Sequence, residues 1–465
     1  MVAQPLNPDA NEFKFVPIKG PCNKQDRVAN RSAKSHAVKH ALKAKRLLEQ
    51  ESKCNFRVTL LKKERTTLIN KSRFAKPPAL VSSLSLSVID PFGTLPVDNS
   101  RLQMLLDDSR ARKASEPVFS ITEDLAFQNF HTVFRTGLTD PALANAVMLS
   151  LLFAVTEGNL DTECLKYKVC AIAYIRDKVA YAKEAASEST IGAILLLVGV
   201  EAQLGMTSQV QLHMEAVRQL LEISRSQGVY LTAGIKRAIF WQDLNASILS
   251  GSDRIVDHTT FSELLWQRDS FTPSFYQLPS GFQQISHLLS DAFIEVLEDL
   301  HALQCIRNWS SYKKGDPFIM AYINNHTASI QSRIGNLVKT SPMLKCCYIA
   351  AYICSIMLCC HVWCTLSIPS YLSSQLLDEL QRAEQDAIWN ENPDMLLWLQ
   401  YIGGTFASPG PIRSMYIELL RRNLATRFSI GCDARLKILE IMRNFIWSDL
   451  AFISEASMFW EEVAY

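Results

Sequence analysis

The chain has 465 residues, of which 48% are apolar and 20% charged; that composition excludes a disordered polymer, and the length exceeds what one ordinary core holds. The formal net charge of +2 conceals an asymmetry: from Lys19 to Lys76, seventeen Lys and Arg stand against four acids, a balance of +13 that leaves −11 for the rest. Glycine, at 17 residues, has roughly half its usual frequency, and no proline occurs between Ala142 and Thr272; together these exclude a turn-rich β protein and favour helices.

Along the chain, residues 1–76 read as a basic N-terminal arm, with an aromatic patch at Phe13 and Phe15 and a helix-forming stretch over about 27–65 rich in Ala, Leu, Lys and Arg. No apolar h-region follows a basic n-region at the start, so no secretory signal is expected. Residues 77–116 read as a Pro/Ser-rich linker ending in a turn, in which Asp90-Pro91 restricts the backbone and Phe92 and Leu95 anchor an extended segment on the body. Residues 117–465 read as an all-α, multi-helix body of some twelve to sixteen helices. Thr122-Glu-Asp and Ser262-Glu have the look of helix starts, with acids where the helix dipole favours them. Val210, Met214, Val217, Leu220 and Leu221 form one apolar helical face. Ile285 to Leu300 traces a second stripe, and Leu436, Leu439, Met442, Phe445, Ile446 and Leu450 a third. The uncharged runs at 142–156, 190–200 and 346–368 read as buried helices, and no membrane association is expected.

Chemical motifs are scarce. There is no phosphate-binding glycine loop, nucleophile elbow or H-E-x-x-H pair. Ser310 to Lys313 has S-x-x-K spacing but lacks the companion motifs. Six cysteines crowd residues 346–364 around His361, yet no C-x-x-C occurs anywhere, so they read as small core hydrophobes. The expectation is therefore no catalytic residue, no metal and no cofactor. Phe92, His213, Trp241 and Trp398 read as core or interface residues, and Arg237 and Asp243 as charge partners that orient neighbouring helices.

The stretch from Arg31 to Arg46 holds eight Lys, Arg or His and no carboxylate. Three readings stay open on composition. A zipper-type DNA-reading basic helix would need an arginine where Val38 stands and a leucine heptad that is missing. A nuclear-import signal with non-specific phosphate attraction needs only clusters such as Arg31, Lys34, His36, Lys39, Lys43, Lys45 and Arg46, then Lys62, Lys63 and Arg65. The third reading is a solvated helix covering part of the body.

The order of motifs resembles the fungal-specific transcription factor domain family, in the subgroup without a binuclear zinc cluster. The residues that carry it are Phe13-Lys-Phe15; Lys24-Gln-Asp26 through Arg31 to Lys34-Ser-His36; and Asp90-Pro-Phe92 to Pro96. Downstream they are His213 to Leu221; Arg237 to Trp241, Asp243 and Ala246; and Leu396-Leu-Trp398 to Gly403-Gly404. The resemblance implies an all-helical regulatory body in a nuclear transcription regulator. The departure is that Cys22 and Cys54 are the only cysteines before residue 164, too few for the six-cysteine DNA-reading module. Lys34 also replaces the arginine of the Arg-Ser-His box. The implied role is regulation through protein partners, zinc-cluster transcription factors among them, with weak or indirect DNA attachment by the arm; a homodimer stays open. The alternative is a helical scaffold or small-ligand-sensing module without a role at DNA, its ligand near His361 and Trp363.

Overall fold

Short polar side chains placed just ahead of apolar runs set the helix starts. Asp98 and Asp140 accept from backbone N–H groups of the turn they precede, as do Ser187, Thr232, Ser290 and Ser341, satisfying donors that a helix end leaves open. The computed structural model describes residues 94–108, 110–111, 139–269, 272–309, 317–338, 341–359, 367–427 and 434–464. The chain divides into two units, 1–78 and 79–465, and every described residue lies in the second. No strand occurs among the described residues; the architecture is all-α.

A first core is built by α1 (Asn99–Asp107), α2 (Pro141–Val155), α3 (Thr162–Val179), α4 (Glu188–Gln203), α5 (Thr207–Gln227) and α6 (Ala233–Ser250). The uncharged runs at 142–156 and 190–200 become α2 and α4, buried nearly all round because α2 packs on α3 and α4 while α4 packs on α5 and α6. Helix α1 falls inside the stretch read as linker; Leu102 and Leu105 bury its inner face, and Leu95 and Val97 pack beside it.

A second core joins α7 (Asp291–Asn308), α9 (Pro342–Leu358), α10 (Ser367–Arg382), α11 (Pro393–Phe406), α12 (Pro411–Arg427), α13 (Ala434–Arg443) and α14 (Asp449–Ala464). Between α7 and α9 runs α8 (Pro317–Gly335), which belongs to both cores: Ala328 packs into the first, and Ile323, Ile330 and Ile334 into the second. Cys346, Cys347, Cys354 and Cys359 are buried in α9 or at its end, as small hydrophobes of that core. No helix among the described residues is long and apolar enough to cross a membrane.

Three sequence readings are corrected. Ser262-Glu263 opens only a three-residue 3-10 turn with Phe261 ahead of it. The stripe from Ile285 to Leu300 is two elements, a 3-10 turn at 286–288 and α7, because Ser290 caps a new helix there. The third stripe also breaks, between α13 and α14. Side chains from elsewhere bind the intervening backbone: Trp398 Nε1 donates to the Ile446 carbonyl, the Trp447 amide donates to Gln304 Oε1, and Ser448 Oγ caps α14. In consequence Leu436 and Leu450, placed on the buried stripe by periodicity, are 63% and 72% exposed.

Candidate functional site

Helix α8 reads Ile323-Asn-Asn-His-Thr-Ala-Ser-Ile-Gln-Ser, and Asn324, His326, Thr327, Ser329, Gln331 and Ser332 are all buried. Burying polar groups is unfavourable unless each finds a partner. Asn324 and Ser332 find theirs on α6 and the loop after it, and Gln331 finds Ser355 on α9, so a polar seam runs between the two cores.

Arg237 of α6 anchors one end of the seam. Its Nη1 donates to Asn324 Oδ1 and Asn325 Oδ1, each at 2.6 Å, and its Nη2 to the Glu263 carbonyl at 2.6 Å. Burial pulls its pKa down to about 10, with the Glu263 carboxylate opposing. Two turns along α6, Asp243 accepts from Arg254 Nε at 3.0 Å and from the amides of Ile255 and Val256 at 3.0 and 3.3 Å. Arg254 then crosses to Ser332 Oγ of α8 at 3.2 Å. Burial raises the Asp243 pKa although Arg254 and the amides oppose it. Arg237 and Asp243 thus bond through separate partners, and those of Arg237 are neutral.

On another face of α8, His326 stacks on Trp266 with ring centroids 3.9 Å apart and planes 8° from parallel. Burial holds the His326 pKa well below the ordinary histidine value, with Arg333 and Arg268 adding to it, so the ring is neutral at physiological pH. Those two arginines bracket Asp299 of α7: Arg268 Nε lies 2.7 Å from Oδ1, and Arg333 Nη2 pairs with Oδ2. A cavity of about 20 Å³ opens at the junction of α6, α8, α9 and α10 beside Trp241, Asn245, Thr327 and Gln331, room for about one water. Thr327 Oγ1 has no hydrogen-bond partner among the described residues.

The remaining motif residues sit apart from this seam. His213 of α5 lies 3.3 Å from Glu201 of α4, and Lys168 of α3 lies 2.9 Å from the same buried carboxylate. Trp398 is packed between Phe282 and Phe445, edge-on to the first at 5.3 Å and stacked on the second at 5.5 Å. Gly403 and Gly404 follow on α11 because aromatic rings lie directly against them: a Cβ on Gly403 would be 2.5 Å from Tyr416 Cε1, and one on Gly404 2.6 Å from Phe459 Cε2. Phe92, the Thr122 helix start, the basic residues Arg31, Lys34, His36, Lys39, Lys43, Lys45, Arg46, Lys62, Lys63 and Arg65, and the segment with His361 and Trp363 lie outside the described residues.

Sequence reasoning missed Glu201, Asp299, Asn324 and His326. The available signal was the run Asn324-Asn-His-Thr327, four polar residues in succession, which leaves α8 without a purely apolar face. The seam pairs Arg237 and Arg254 with acceptors on α8 but leaves Asn324 Nδ2, both His326 ring nitrogens and Thr327 Oγ1 without a hydrogen-bond partner among the described residues. It holds no nucleophile beside a base, and no group of three or more His, Cys, Asp or Glu suited to a metal ion occurs among the described residues. Its chemistry is that of a brace between two cores. The family model described as Fungal specific transcription factor domain matches residues 117–441. No curated protein and no solved structure matches the chain.

Proposed function

The chain belongs to the fungal-specific transcription factor domain family, and from that premise we propose that it is a nuclear regulator that acts through protein partners, its basic arm serving nuclear entry and weak, sequence-indifferent attraction to DNA. The family is one of transcription factor domains and not of enzymes, which fits a body whose buried charges are spent on bracing helices. The observation that carries the finer reading is the charge distribution: +13 between Lys19 and Lys76 ahead of a remainder at −11. Two cysteines before residue 164 are too few for a six-cysteine module within these residues, which supports a reading in which a partner, with zinc-cluster factors as the fitting class, supplies DNA specificity.

The test is the distribution of tagged full-length protein in fungal cells, with Lys39, Lys43, Lys45 and Arg46 intact or changed to Ala. The intact protein should concentrate in the nucleus and the variant should not; equal distributions would defeat the import role. Binding to random duplexes at two salt concentrations addresses the arm at DNA. Phosphate attraction predicts weak binding that falls with salt and with the four substitutions. Enrichment of one sequence would mean that the arm reads bases.

A further inference from the structure

A groove of about 180 Å³ runs between α10, α11 and α12, away from the seam. Leu380, Trp389, Leu396 and Leu419 form the apolar part of its wall, and Gln381, Glu384, Arg422 and Thr426 the polar part. At its base Gln400 of α11 and Asn423 of α12 face one another, 5% and 7% exposed. Asn423 Nδ2 donates to Gln400 Oε1 at 3.1 Å. That single bond satisfies one half of each amide. The other halves, Gln400 Nε2 as donor and Asn423 Oδ1 as acceptor, have no partner among the described residues, and both residues line the groove. Rotating both amides exchanges the two names but again leaves one donor beside one acceptor.

We propose that this groove binds a small neutral molecule that presents an N–H and a C=O side by side on an apolar ring, as a lactam or a ring-bound primary carboxamide does. The amide pair supplies the complementary acceptor and donor, and buried amides favour a ligand that completes their bonding over one that leaves them open. Leu380, Trp389, Leu396 and Leu419 receive the ring, in the usual division of labour between lining and polar contacts in ligand pockets. The rim disfavours an anion: Arg422 lies 2.9 Å from Glu384 across α12 and the end of α10 and 3.6 Å from Glu418, so its single positive charge is already matched by two carboxylates. The volume limits the ligand to one or two rings. This inference is independent of the regulatory reading, since it rests on the amide pair alone.

Ligand-observed NMR on the full chain tests it, with benzamide as the probe and methyl benzoate, which has the acceptor but no donor, as the reference. Benzamide should bind about tenfold more tightly than methyl benzoate. Gln400→Glu leaves two acceptors and no donor at the base. That variant should lose benzamide by a similar factor and gain benzamidine, which offers two donors and a positive charge. Asn423→Asp makes the same exchange from α12 and replaces the first variant if that one does not fold. Equal binding of benzamide and methyl benzoate, no binding of either at millimolar concentration, or an unchanged preference in a folded variant would each overturn the proposal.

Discussion

Gly403→Ala is expected to destabilise the protein even though it replaces glycine by the best helix former in the middle of a helix. In α11 the substitution by itself favours folding by about 1 kcal/mol. The added Cβ, however, would stand 2.5 Å from Tyr416 Cε1, far inside ordinary contact distance. Tyr416 has little freedom to withdraw. It is buried, its Oη donates to the Ser373 carbonyl at 2.8 Å, and Ser373 Oγ in turn donates to the Gly403 carbonyl at 2.6 Å. Burial also keeps the Tyr416 phenol protonated, its pKa well above the ordinary value, so the donor is present at any working pH. Moving the ring therefore costs about 1–3 kcal/mol of overpacking and about 1 kcal/mol for the buried hydrogen bond. Against the propensity gain this leaves roughly 2 kcal/mol of net destabilisation.

Urea unfolding of the full chain, followed by circular dichroism, measures it. The midpoint should fall for Gly403→Ala and for Gly404→Ala, whose Cβ would meet Phe459 at 2.6 Å. It should rise slightly for Gly335→Ala at the end of α8, where a Cβ meets nothing within 4 Å and the gain is about 0.5 kcal/mol from the unfolded chain. A Gly403→Ala midpoint at or above wild type would refute the reasoning, because it would mean that the Tyr416 ring yields without loss.

Arg237→Lys should lose about 2 kcal/mol, since a lysine ammonium cannot reproduce the planar fork to Asn324, Asn325 and the Glu263 carbonyl; thermal unfolding at neutral pH checks it. Glu201→Gln should lower the melting temperature at pH 7 and converge on wild type in acid. Burial alone would raise the Glu201 pKa, but His213 and Lys168 outweigh it and hold it below the ordinary 4.5. A carboxylate so depressed stabilises above about pH 4.5 and loses that contribution as pH falls through its folded value, and a gap between the two proteins that does not narrow in acid would contradict the assignment. Cys346, pushed up to about 12 by burial, and Cys347 and Cys354, pushed still higher, should resist iodoacetamide at pH 8 while the half-buried Cys170 reacts; mass spectrometry of labelled peptides, with and without urea, distinguishes the sites.

The parts of this fold that could be read in the sequence are those where one local rule decides. Helices α2 and α4 announce themselves because a helical run without charge offers no polar face to water and is buried on every side. The face of α5 appears because Val210, Met214, Val217 and Leu221 repeat at helical spacing and do sit in the first core. The break between α13 and α14 was illegible, because it depends on Trp398 and Gln304, residues 48 and 143 positions away in sequence from the groups that they bind. Periodicity carried a helix through Phe445 and Ile446 since nothing local forbids one. The family motifs behave in the same way. Gly403-Gly404 can be recognised as a pattern, but its cause, two rings from α12 and α14 lying against α11, is purely tertiary.

The seam shows why its residues evade a reading by residue type. Asn324, Thr327 and Ser332 are polar, and on a helix that belonged to one core they would face solvent. Helix α8 instead belongs to two cores, so the side turned away from the second core is the side turned toward the first. Its polar residues are buried because both neighbours are protein, and Asn324 and Ser332 stay polar because the facing elements carry Arg237 and Arg254. Apolar contacts alone would tolerate small slides of one core against the other. Directional bonds from Arg237 to two adjacent asparagines, and from Asp243 through Arg254 to Ser332, tie the position of α8 to that of α6. A displacement of either helix is therefore carried to both cores.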